Sequence, residues 1–158
     1  MRISKVARAY EDVWLDDPAE NPGTPHWRVP FDDESVEGYL AKVSSAIDRA
    51  QDNERRAEAA ATPEERRAAN EAQVRLIKRV VSAFIGTDGW EELLRWLGDG
   101  KPVDPASYVR VLGEVFAAFL DMLGRYCTSE QLRACGMRYE RMSREVAPAR
   151  HGKRKGKR

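Results

Sequence analysis

The chain has 158 residues and a mass of 17.9 kDa, the size of one ordinary domain with arms rather than of two independent domains. It is 42% hydrophobic and 34% charged, above the usual charged share of about 25%, so its apolar side chains must gather on a few faces. The longest apolar run, Val115 to Leu120, falls far short of the roughly 20 residues of a membrane span. Arg2, Lys5 and Arg8 interrupt the stretch where a secretory leader would need an apolar core. A cytoplasmic product is expected.

The formal charge of +1 averages two unlike parts. Arg150, Lys153, Arg154, Lys155, Lys157 and Arg158 are six of the 27 basic residues, and no acid lies beyond Glu145. Without them, 21 basic residues face 26 acidic ones, so a body near −5 carries a tail of +6.

In chain order, Ile3, Val6, Tyr10, Val13 and Trp14 recur at mostly three- and four-residue steps, which suits a short amphipathic helix or a docked extended arm. Pro18, Pro22, Pro25 and Pro30 follow, and proline lacks the amide proton that regular structure uses, so this is a loop or arm. Trp27, Val29 and Phe31 alternate at its end and are expected to pin it to the body. Residues 1–33 are therefore read as an N-terminal segment and proline-rich arm.

After Asp32 and Asp33, good capping types, Val36, Tyr39, Leu40, Val43 and Ile47 mark a helix. From Asp48 to Ala61 there is no large apolar residue, so residues 34–61 read as a helix followed by a charged, solvated connector. Thr62-Pro63-Glu64-Glu65 then signals a helix start, with a capping threonine, proline at the first helical position and glutamate three residues after the cap. Its apolar residues, Val74 to Ile85, gather in the second half, and Gly86 supplies a stop. A short helix carries Trp90, Leu93, Leu94, Trp96 and Leu97 up to Gly98-Asp99-Gly100. Asp104-Pro105 opens the most apolar helix, from Tyr108 to Leu123, and Thr128-Ser129-Glu130-Gln131 is a second capping box leading toward Val146.

No β pattern competes with these helical periods. The expected fold is all-α: an irregular bundle of about five helices, with its core in residues 62–147 and a disordered basic tail in residues 148–158.

Chemistry is hard to locate. Cys127 and Cys135 lie eight apart, and His26 and His151 fall in a loop and a tail, so no closed metal site is built from them. Paired carboxylates such as Glu64-Glu65 and Glu91-Glu92 sit at helix starts, where they favour the positive end of the helix dipole. Nucleophile, phosphate-loop and zinc-protease signatures are missing. No enzyme, no metal and no cofactor are expected. The basic tail has no interleaved aromatic residue for stacking on bases, which argues against nucleic-acid binding as the main role.

The apolar residues Trp90, Leu93, Trp96, Leu97, Tyr108, Leu112, Phe116 and Phe119 exceed what short helices readily hide, so they are the candidate surface for an apolar partner helix. For each residue taken singly, the simpler account is that it fills the core.

The stretch Phe84 to Leu94, with Leu97-Gly98-Asp99-Gly100, Pro102-Val103-Asp104-Pro105 and Val109 to Leu123, resembles in layout the tail assembly chaperones of long-tailed bacteriophages, over roughly Ile77 to Arg158. The resemblance implies a factor of the host cytoplasm that keeps apolar helices of the tape measure protein soluble and helps recruit tail tube subunits. In that family the upstream product commonly ends just beyond a slippery heptamer at which ribosomes shift by −1, and a heptamer of the form GGGAAAA reads as Gly-Lys. Gly152-Lys153 and Gly156-Lys157 both lie near the end of this chain. Two other classes remain open: a DNA-associated or virion structural adaptor that uses the basic tail, and a homodimeric helical scaffold.

Overall fold

The computed structural model describes residues 9–135. Its first feature is a β-hairpin, so of the two forms open to the first segment, a short helix or a docked extended arm, the chain adopts the extended one. β1 (Tyr10–Trp14) pairs antiparallel with β2 (His26–Pro30) in the register Tyr10↔Pro30 to Trp14↔His26. Tyr10, Val13 and Trp14 stand at helical steps, but pairing with the alternating partner strand holds them extended. Val13 and Trp27 pair on the inward face beside the fully buried Val29. On the outward face Trp14 stacks on His26 at 4.5 Å and the Arg28 guanidinium lies 4.1 Å from the Tyr10 ring centre. Asp12 accepts a hydrogen bond from Arg28 Nε at 3.1 Å on that face. The proline-rich loop is closed by Leu15 N–H donating to the Pro25 carbonyl, and by Asp16 N–H donating to Thr24 Oγ1. Pro30 stands at the strand end, where a missing donor costs least. Ile3 and Val6 lie outside the described residues.

Four α-helices follow among the described residues. α1 (Asp33–Ala59) is capped by Asp32, whose carboxylate accepts from Ser35 N–H and, at 2.6 Å, from Ser35 Oγ. It runs unbroken through the stretch read as a connector. Val36, Tyr39, Val43 and Ala46 are its buried residues, so its second half lies mostly outside the core. After the short link of residues 60–62, α2 (Pro63–Leu97) doubles back along α1, with Thr62 accepting from Glu65 N–H and Glu65 accepting from Ala61 N–H.

The stop expected at Gly86 is a break inside α2. Gly86 leaves the helical region at φ 79°, ψ 169°, so the helix expected to stop there does so, and the expected second helix follows at once as the other arm of α2. A 3-10 turn, Pro105–Tyr108, capped by Asp104, leads into α3 (Val109–Gly124), and α4 (Ser129–Ala134) starts on the expected capping box of Thr128 and Gln131.

The core joins all these parts. The Phe84 ring stacks on Tyr39 at 4.2 Å and on Phe119 at 5.0 Å, and Phe31 stacks on Tyr126 at 4.1 Å. Tyr39 spends its hydroxyl on the Pro30 carbonyl at 2.8 Å, tying α1 to the hairpin. Burial, and then the neighbouring Asp32 charge, raise the Tyr39 pKa.

Candidate functional site

α1 and α3 both pack on α2 without closing over it, and between them lies an open groove of about 1110 Å³. One wall is the second half of α1, through Ile47, Ala50, Glu54 and Ala57. These positions recur at steps of three, four and three, which places them on one helix face. The other wall is α3, through Val109, Gly113, Phe116, Ala117 and Leu120. Asn70, Gln73 and Ile77 of α2 line the groove between them. Alanine and glycine hold the walls back: a Cβ added at Gly113 would meet nothing within 4 Å.

Four carboxylates, those of Glu54, Glu58, Glu114 and Asp121, line the groove against two guanidiniums, of Arg66 and Arg110. Arg110 is already matched to Glu114 at 2.9 Å. Gln73 Oε1 is a buried acceptor with no hydrogen-bond partner among the described residues, and such an atom carries a desolvation cost that an incoming donor would remove.

The eight residues expected to face a partner are divided by the fold. Trp90, Leu93, Leu112, Phe116 and Phe119 are all buried at 8% exposure or less. Trp96, Leu97 and Tyr108 are partly buried, and Leu97 and Tyr108 pack against the core cluster. Only Phe116 of the eight also reaches the groove. The surplus of apolar surface is absorbed in the core, where Trp90 and Leu93 lie just past the break at Gly86. Arg150, Lys153, Arg154, Lys155, Lys157 and Arg158 lie outside the described residues.

The α1 wall of the groove is not legible in the hydrophobic pattern because beyond Ile47 it is built of small and polar residues. The available signal was the three-four-three recurrence of Ile47, Ala50, Glu54 and Ala57, read instead as a solvated connector.

The displaced ionisable groups serve structural contacts. Arg28 lowers the Asp12 pKa, Arg67 lowers that of Asp104 through a 2.7 Å contact, and Ser35 lowers that of Asp32. Burial, then Cys135, pushes the Cys127 thiol up, which disfavours the nucleophilic thiolate. Cys135 Sγ donates to the Leu40 carbonyl at 3.3 Å. Among the described residues, no three His, Cys, Asp or Glu side chains are gathered for a metal ion, and no helix is long and apolar enough to cross a membrane.

Comparison of the chain with protein-family models, with curated proteins and with solved structures finds no match.

Proposed function

We propose that this protein is a non-enzymatic assembly chaperone that holds an amphipathic helix of its client in the groove between α1, α2 and α3. The observation that carries the reading is the groove itself, with half-buried Ile47, Ala50, Ala57, Gly113 and Ala117 on its walls over a floor of the core residues Ile77, Phe116 and Leu120. A helix is about 10 Å across, so about 1110 Å³ accommodates roughly two and a half turns. Ala50, Ala57, Gly113 and Ala117 on the walls let the backbone of a client helix approach closely. The resemblance to tail assembly chaperones supplies the client class: apolar helices of a tape measure protein, with tail tube subunits recruited alongside, in the host cytoplasm. The partner surface is thereby moved from the Trp90 region to the groove.

Co-expression tests the reading. A tape measure segment that is insoluble alone should become soluble with the wild-type chain and stay insoluble with Gly113→Phe, which fills the groove from a position with room for a Cβ. The circular dichroism spectra should match, and the variant should melt no lower than wild type, since it removes a glycine from the interior of α3. Equal solubilisation by both removes the groove from the mechanism, and none by either removes the chaperone role. A slippery heptamer in the coding DNA at Gly152-Lys153 or Gly156-Lys157, followed by an overlapping −1 frame, would support the family assignment independently.

A further inference from the structure

The α1–α2 pair carries a second depression, of about 510 Å³, lined by Arg49, Asp52, Asn53 and Arg56 of α1 and Ala72, Arg75, Leu76 and Arg79 of α2. Four guanidiniums meet one carboxylate there. Asp52 is matched to Arg56 at 3.7 Å, while Arg49, Arg75 and Arg79 have no ion pair or hydrogen bond to any described residue. Arg75 and Arg79 stand four apart on one helix, where like charges repel. Residues 9–135 hold fifteen basic side chains against twenty-four acidic ones, so four of the fifteen converge on one hollow of an otherwise acidic body.

We propose that this depression is a binding site for a compact oligophosphate, such as the polyphosphate moiety of a nucleotide. Guanidinium forks match phosphate oxygens two at a time, and a multiply charged anion relieves the repulsion among the unpaired arginines. Arg49 and Arg56 are seven residues apart on α1, about 10 Å along the axis, so linked phosphates can meet both ends of the hollow. A volume of about 510 Å³ suits a small ligand. The acidic surroundings disfavour an extended polyanion, which would have to lie across them, and leave a compact one as the better match. This site is independent of the groove and of the chaperone reading.

The test is calorimetric titration of the full chain with sodium tripolyphosphate at fixed ionic strength. Three proteins are compared: wild type, Arg75→Gln/Arg79→Gln, and a chain whose Arg150, Lys153, Arg154, Lys155, Lys157 and Arg158 are all changed to Gln. Saturable binding is expected in the wild type, and it should weaken at least about tenfold in the Arg75/Arg79 variant, as loss of charge-assisted hydrogen bonds implies. The tail variant should bind within about twofold of wild type, because its hollow is intact. The Arg75/Arg79 variant should melt within a few degrees of wild type, since neither arginine makes an ion pair or hydrogen bond with a described residue, which separates lost binding from unfolding. Citrate at equal charge should bind more weakly than tripolyphosphate. Unchanged affinity in the Arg75/Arg79 variant, loss of binding in the tail variant, or no saturable heat at all would overturn the proposal. Tighter binding of a short DNA duplex through the same arginines would overturn it in favour of a nucleic-acid backbone.

Discussion

Replacing Gly86 with alanine tests the architecture at its least ordinary point. Gly86 has φ 79° and ψ 169°, a region open to glycine alone, and a Cβ built there meets nothing within 4 Å. Any effect of Gly86→Ala is therefore backbone strain and not a clash. Strain of this kind costs about 1–3 kcal/mol. Restricting the unfolded chain returns about 0.4–1 kcal/mol. The net expectation is a destabilisation of about 0.5–2 kcal/mol, read as a fall in melting temperature of roughly 1–8 °C for a chain of this length. Gly113→Ala is the matched control: it also has open space at the Cβ, but it lies inside α3 with no positive φ. There alanine should gain up to about 1 kcal/mol, raising the melting temperature by about 2–4 °C. Differential scanning calorimetry of the three proteins at one pH makes the comparison. A Gly86→Ala protein that melts at or above wild type would mean that α2 prefers to run straight through residue 86. The route by which Trp90 and Leu93 enter the core would then be misassigned.

Phe84→Ala should be far more damaging, because its ring contacts Tyr39, Phe119 and Phe31 at the junction of α1, α2, α3 and the hairpin; a loss of about 3–5 kcal/mol in urea unfolding is expected. Ser82→Ala should be neutral or stabilising by up to about 1 kcal/mol in the same assay, since the buried Ser82 hydroxyl has no hydrogen-bond partner among the described residues. Stability should also fall in acid. Asp12, Asp32 and Asp104 have folded pKa values below the ordinary 3.8, so their contribution is complete above that value and is lost as pH drops through it toward the folded values. Asp32→Asn keeps a capping acceptor but lacks the charge, so its melting temperature should lie somewhat below wild type at pH 7 and the gap should narrow below about pH 4, as Asp32 itself is protonated.

The helix starts were legible because capping is local chemistry. Thr62, Asp104 and Thr128 each accept an amide hydrogen bond two or three residues on, and the residue types alone announce it. The hairpin was not legible from its first strand. Tyr10, Val13 and Trp14 stand at helical steps, and only pairing with Pro30, Trp27 and His26, twelve to twenty residues away, selects the extended form. Gly86 was readable as an interruption, but whether the chain stops or bends there depends on what the next turn can bury. Trp90 and Leu93, exposed by 1% and 0%, make bending the favoured outcome.

The second half of α1 shows why the site escaped a reading based on hydrophobic pattern. With no large apolar residue after Ile47, the stretch looks solvated, and that same lack leaves the groove open. A leucine at position 50 or 57 would fill the space between α1 and α3 and turn a binding wall into core. The helix period then sorts what remains: Ile47, Ala50, Glu54 and Ala57 line the groove with α3, while Arg49, Asp52 and Arg56 line the arginine hollow with α2. A segment that contributes little to burial thus contributes a wall to each of the two cavities. Substitutions along its length, Ala57→Leu on one face and Arg49→Gln on the other, should separate helix binding from anion binding without disturbing the Phe84 junction.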